Sequence, residues 1–396
     1  MKKVLVPRVR FKGFDEEWKE ERLEYIAKVT NGKSNTSDNN KWGQYNLYIR
    51  SEEIYKSNKY IFDVEGVITV GDGNIGKIFH YVNGKFDLHQ RCYLIYEFQN
   101  IWPKYFYYYF SQNFYKRAIL MSYTATVNSI RMNTITDMDI MFPKELIEQQ
   151  KIGKLLENID NLITLEEIKL NKLKQLKQTL LQKMFPEHNS KKPRIRFRGF
   201  DEEWKEERLE EIGQTYTGLS GKTKKDFGHG NSRYITYLNI FNNPIANLKG
   251  LDRIEKDCKQ NSVKYGDIFV TTSSEIPEEV GMTSIWPFKD KENIYLNSFC
   301  FGIRLNNINN YYINFLAYNL RNNELRKDIV LLAQGISRFN ISNRRFMKLN
   351  ILLPNISEQQ KIGDFFCKID TLINLCHSKL NKLRQIKEAL LQKMFV

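Results

Sequence analysis

The chain repeats itself, and this constrains its fold more than any other property. Residues 7–25 read PRVRFKGFDEEWKEERLEY and residues 193–211 read PRIRFRGFDEEWKEERLEE, identical at sixteen of nineteen positions. Residues 148–185 and 358–395 form a second pair, each opening EQQKIG and closing LLQKMF, identical at twenty-four of thirty-eight. The segments between these blocks, 25–147 (123 residues) and 211–357 (147 residues), differ from each other. Two copies at a period near 200 residues do not make a solenoid. Each copy is large enough to be a domain. A constant frame with two unlike inserts suggests one scaffold presenting two different readers.

The constant blocks 148–185 and 358–395 are expected to be helices. Apolar residues recur at three- and four-residue steps: Ile152, Leu155, Ile159, Leu162, then Leu173, Leu176, Leu180, Met184, with Ile362, Phe365, Ile369, Leu372, Leu383, Ile386, Leu390 and Met394 in the second copy. Pro143 and Pro354 precede them, Ser357-x-x-Gln360 fits a capping box that the first copy lacks, and Pro186 ends the first helix. Thirty-eight residues at 1.5 Å each make a rod of roughly 57 Å. Such a rod with an apolar stripe needs a partner. The expected partner is the other copy, antiparallel; a second chain is the alternative. The lysines of the first helix's latter half (Lys169, Lys172, Lys174, Lys177, Lys183) and their second-copy counterparts read as cations favoured at a helix C-terminus plus a solvated face.

The variable segments read as mixed α and β. Strands are expected at 66–70 and 266–270, each followed by a polar loop and a glycine (Gly76, Gly281). Helices are expected at 102–118 and 311–327. The aromatic run Tyr105–Phe110 could be a base-stacking platform, but helical core is the better reading.

Charge points to the partner. With 61 Lys+Arg against 46 Asp+Glu the net charge is +15, which suits a polyanion: nucleic acid first, an acidic membrane surface second. The 41% hydrophobic content supports packed cores, and no apolar run is long enough for a membrane span or a secretory signal, so a cytoplasmic location is expected. Five scattered cysteines, never spaced CxxC, argue against a disulfide framework or a zinc finger.

Motifs for chemistry fail one by one. GDGNIGKI at 71–78 nearly matches a phosphate-binding loop, but Ile78 stands where a magnesium-binding hydroxyl belongs and FHYVNGKF after it reads as strand and turn. No HExxH, GxSxG or adenine-methyltransferase signature is present, and the five histidines form no spaced set. The chain alone is expected not to be a catalyst.

The RFxGFxxEW block opening each half, the EQQKI helices ending LLQKMF, and the phrases TVGDGNIGKI and QGISRFNISNRRFMKLNILLP resemble the specificity subunit of type I restriction–modification enzymes over essentially the whole chain. The resemblance implies an α+β fold. Two similar mixed α/β target recognition domains are joined by two long helices that pair as an antiparallel coiled coil, in a pseudo-twofold tandem repeat. The expected boundaries are a first recognition domain over 1–147, a spacer helix over 148–185, a linker over 186–192, a second recognition domain over 193–357 and a second helix over 358–396. Each recognition domain would read one half of a split, asymmetric sequence in double-stranded DNA. The helices would set the spacing and dock two modification subunits, which methylate adenine at N6; restriction subunits, ATP-driven translocase–nucleases, would join them. No cofactor is implied in this chain: S-adenosylmethionine, ATP and magnesium would sit on partners. Lengthening a helix should change the spacing without changing either half-site.

Base readout needs donors and acceptors on loops that reach a groove edge. In the first domain the candidates are Asn74, Lys77, Thr124, Thr126, Asn128 and Arg131. In the second they are Ser273, Ser274, Gln334, Ser337, Arg338, Asn340 and Arg344. Each competes with a plain loop or phosphate role. Two other classes compete with the DNA reader. One is an enzyme, either a solitary nuclease or an ATPase built on GDGNIGKI. The other is a coiled-coil scaffold with protein- or RNA-binding inserts.

Overall fold

The computed structural model describes residues 5–124, 128–289 and 293–396. It divides into two compact units: unit 1 is 1–168 with 378–396, and unit 2 is 169–377. Unit 1 therefore draws on both ends of the chain.

Unit 1 runs β1 (Lys19–Arg22), β2 (Lys28–Asn31), β3 (Tyr45–Tyr48), β4 (Ile54–Ser57), β5 (Phe62–Val70), β6 (Phe79–Leu88), β7 (Cys92–Tyr96), α1 (Pro103–Leu120), β8 (Tyr123–Thr124), β9 (Asn128–Ser129), β10 (Asp139–Phe142) and the start of α2 (Leu146–Lys183). Among the described residues a six-stranded sheet has the order β2-β7-β5-β6-β3-β4. It is antiparallel except where β3 runs parallel to β6. FHYVNGKF is thus one continuous strand rather than strand and turn. Gly84, at φ +100°, takes a backbone conformation inside β6 that other residues rarely adopt. Helix α1 lies against this sheet through the aromatic run: Tyr105, Phe106 and Phe110 are fully buried, which makes the run core.

Unit 2 follows with β11 (Lys205–Arg208), β12 (Gly213–Thr217), β13 (Phe227–Ile235), β14 (Leu251–Ile254), β15 (Ile268–Thr271), β16 (Ser273–Ser274), β17 (Thr283–Ile285), β18 (Ile294–Leu296), β19 (Cys300–Leu305), α3 (Ile313–Asn319), α4 (Asn323–Leu331), β20 (Phe339–Asn340), β21 (Asn350–Leu353) and α5 (Ile356–Met394). The pairing scheme is that of unit 1, divided in two: β12-β19-β15-β17 and β14-β13-β18. The division arises because β17 and β18 stand where unit 1 has the single strand β6. The helix expected over 311–327 is likewise broken. Asn322 ends the first piece and caps the second by accepting from Leu325 N at 2.9 Å, and its amide donates back to Asn319 O at 2.7 Å.

The repeated blocks meet in each unit, and their chemistry explains why they repeat. Arg10 grips Glu148 through two hydrogen bonds of 2.7 and 2.8 Å; Arg196 grips Glu358 at 2.6 and 2.7 Å. Glu148 and Glu358 are buried, so each carboxylate needs its cation. The neighbouring Gln149 accepts from Trp102 N and donates to Pro143 O; Gln359 does the same with Tyr312 N and Pro354 O. Each glutamine ties the start of a long helix to the helix that backs the sheet.

The long helices run antiparallel in both units. In unit 1, Lys387 pairs with Asp160 at 2.6 Å and Tyr108 donates to the same carboxylate at 2.8 Å; in unit 2, Lys177 pairs with Asp370 at 2.5 Å and Tyr318 donates at 2.8 Å. Unit 1 adds Lys379–Glu166 and Arg384–Glu167. Several of the helix cations expected on a solvated face therefore bind acids of the opposite helix. The second helix starts differently from expectation: it begins at Ile356, and Asn355, not Ser357, accepts from Glu358 N at 3.0 Å. Met394 and Phe395 close the core of unit 1, as Met184 and Phe185 close that of unit 2.

Candidate nucleic-acid interface

In unit 1 the loops between strands gather at one end of the sheet because backbone bonds stitch them together. Gly71 N donates to Arg91 O (2.8 Å), Ile130 N to Gly71 O (2.9 Å) and Gly73 N to Asn128 O (2.9 Å). Loops 71–77, 89–91 and 128–131 are joined in this way. Ser34 brings in loop 32–36: its hydroxyl donates to the buried Asp87 carboxylate at 2.6 Å and its carbonyl accepts from Gln90 N. Asn74 lines a cavity of about 380 Å³ with Thr36, Arg50 and Asp72. Lys77 is exposed, with its ammonium 5.5 Å from the Tyr115 ring. Gly76, at φ +66°, lets this loop sit on α1; a Cβ there would lie 2.8 Å from Tyr115 Cα. The loop joins two strands, so it does not open a helix as a phosphate-binding loop must. The Thr124 backbone pairs with Asn128 across β8–β9, Asn128 is half-buried, and Arg131 is exposed beside the short helix 132–136. Thr126 lies outside the described residues.

Unit 2 builds the matching end from β16 and β20, which pair Ser273 with Asn340. Ser273 and Ser274 are buried and locally engaged. The Ser273 carbonyl accepts from Tyr237 Oη at 2.8 Å, and Ser274 Oγ accepts from Ile276 N at 3.2 Å. They form the floor of this end, not its outer edge. The outer edge is the tight loop closed by Gln334 and Asn340, whose backbones exchange hydrogen bonds of 2.9 and 2.8 Å. Gln334, Ser337, Arg338, Asn340 and Arg344 are all exposed there, and the Arg338 guanidinium lies 5.8 Å from the Phe299 ring.

The structure adds a group that sequence reading missed. Arg50 Nη1 donates to both oxygens of Asp72, at 3.1 and 3.2 Å, and Arg91 Nε lies 3.9 Å from the same carboxylate. Beneath them the buried His89 accepts from Arg91 N at 3.0 Å. Burial first, then Arg50, pushes the His89 pKa below its ordinary value. His80, against the Ser51 carbonyl at 3.1 Å, is lowered by burial as well. No local motif marks these residues. They come together through the parallel pairing of β3 with β6, which no short sequence window reveals.

Two sheet-based modules, each braced on paired long helices and each ending in a cluster of polar loops, define a tandem recognition protein. The family model of the type I restriction modification DNA specificity domain matches it twice, over residues 15–175 and 201–385, and the chain belongs to that family. A curated relative, the type I restriction enzyme EcoDI specificity subunit of Escherichia coli, is 31% identical over 166 residues. That stretch covers 41% of this chain and 35% of the relative, about a third of its length. The S subunit of a type I restriction-modification system from M. genitalium shares the fold at TM-score 0.67 and 16% identity, covering 99% of both chains. A chain solved in work on complex assembly and conformational transition of the type I R-M system covers 98% of this one at TM-score 0.52 and 14% identity. No helix among the described residues is long and apolar enough to cross a membrane.

Proposed function

We propose that this chain is the sequence-reading, non-catalytic subunit of a type I restriction–modification complex. It binds a bipartite, asymmetric site in duplex DNA, one half-site per unit. One observation carries the reading: the buried frame is the same in both units, down to the Arg–Glu and Lys–Asp pairs, while the loops at matched positions differ in chemistry. A two-fold scaffold with identical readers would suit a palindrome, whereas unlike readers suit unlike half-sites. The net charge of +15 supplies the attraction to phosphates. Leu165 and Leu375 occupy equivalent positions on the long helices and are about 60% exposed, offering apolar contacts to methyltransferase and translocase–nuclease subunits. Methyl transfer from S-adenosylmethionine to adenine N6, and any ATP-driven cleavage, would take place on those partners.

The test is co-expression with the presumed modification subunit, followed by mapping of N6-methyladenine across the host genome. One split, asymmetric motif methylated throughout is expected. A stable complex that methylates nothing would remove the specificity role and leave a scaffold.

A further inference from the structure

Resting on that DNA-reading role, a second comparison of the units identifies where bases are read. Backbone bonds give the equivalences. Gly71 N→Arg91 O in unit 1 is Thr272 N→Phe299 O in unit 2, and Ile130 N→Gly71 O is Ile341 N→Thr272 O. Arg91 therefore corresponds to Phe299, and Asp72 to Ser273. The parallel ladders end at Tyr48↔Leu88 and Ile235↔Leu296, so Arg50, two residues on, corresponds to Tyr237. One place in the fold carries Arg50, Asp72 and Arg91 in unit 1 and Tyr237, Ser273 and Phe299 in unit 2. We propose that Arg50 and Arg91, oriented by Asp72, read guanine in the half-site bound by unit 1.

The chemistry follows from the donor inventory. A guanidinium offers only donors, and guanine alone shows two acceptors, O6 and N7, side by side in the major groove. Asp72 engages Arg50 through Nη1, which leaves the Nε–Nη2 edge to make such a fork. The Arg91 side chain is two-thirds exposed and sits at the rim. The carboxylate is only 14% exposed, so the guanidinium it orients is held firmly. It also argues against a pure phosphate clamp, because an acid at the contact point would repel phosphate. The cavity of about 380 Å³ beside Arg50, with Thr36 and Asn74 on its walls, provides room for a base edge.

The test selects randomised duplexes with the full-length chain and with its R50A, R91A, R91K and D72N variants. Arg91 is exposed, so its replacement leaves the core intact. The wild type should enrich a bipartite sequence with guanine in one half. R50A and R91A should each lose preference at a guanine of that half by roughly 5- to 150-fold, leaving the other half unchanged. R91K should keep overall affinity yet lose the preference, since lysine has the charge without the fork. D72N should also lose preference but bind unrelated DNA at least as tightly, which a merely structural role for Asp72 would not produce. Equal weakening across all sequences, an effect on both halves, or unchanged preference would overturn the proposal while leaving the DNA-reading role standing. A wild-type chain that enriches no sequence would bring down that role, and this inference with it.

Discussion

Units 1 and 2 share a frame and differ in what it carries. The shared part is buried and ionic: Arg10–Glu148 against Arg196–Glu358, Gln149 against Gln359, Tyr108–Asp160–Lys387 against Tyr318–Asp370–Lys177. The differing part is sheet continuity and loop chemistry. One ten-residue strand, β6, faces two three-residue strands, β17 and β18, and an Arg–Asp–Arg cluster faces Tyr–Ser–Phe. A buried charge tolerates no substitution that leaves it alone, whereas a loop held by backbone hydrogen bonds accepts any side chain that fits. The frame can therefore stay fixed while the readers change.

The largest effect should come from breaking the frame on one side only. Glu148→Ala strands Arg10 and should cost unit 1 about 3–5 kcal/mol; Glu358→Ala should do the same to unit 2 through Arg196. Hydrogen exchange resolved along the chain should show lost protection in one unit per variant. Loss in both would mean that the units do not unfold separately.

Glycines at matching turns give a smaller and unequal effect. Gly76 and Gly281 both sit at φ +66°. Alanine at either costs about 1–2 kcal/mol of left-handed strain. At Gly76 the new Cβ also meets backbone, Tyr115 Cα at 2.8 Å, whereas at Gly281 it meets the Ile329 methyl Cγ2 at 2.6 Å, which can swing aside. Chemical denaturation should find G76A the more destabilised.

Acid provides the finest discriminator. His80 and His89 both lie in unit 1, and burial lowers both pKa values from 6.5. The unfolded chain then binds more protons than the folded one as pH falls below about 6.5. Stability is thus full above that pH and declines beneath it, by at most about 1.4 kcal/mol per pH unit for each histidine. Unit 1 should lose amide protection between pH 7 and 5 faster than unit 2. Equal loss would show that neither ring resists protonation.

Much of the frame was legible in the sequence because repetition displays it. The long helices, the strands at 66–70 and 268–271 and the aromatic core helix follow from periodicity and from comparison of the copies. The Arg10–Glu148 pair was present in both repeated blocks, yet 138 residues separate its members, and no short-range rule joins them. The cluster at Asp72 was illegible for a related reason. Its arginines come from two further loops, and only the parallel register of β3 on β6 brings them together. Ser273 and Ser274 looked like outward-facing polar loop residues because a short strand pairing, β16 with β20, cannot be read from two serines.

The division of the chain also governs the order in which its parts can be completed during synthesis. Unit 2 is one uninterrupted stretch, 169–377, and has all its residues as soon as that stretch leaves the ribosome. Unit 1 begins earlier yet must wait for 378–396: Met394 and Phe395 fill its core, and Val9 N bonds Lys393 O. The usual order, N-terminal domain first, is therefore reversed. Until the last residues emerge, the first module has an open apolar face around Tyr105 and Tyr109, where the Phe395 ring later packs at 5.6 and 5.7 Å. A nascent chain stalled a few residues short would have a finished second reader and an unfinished first.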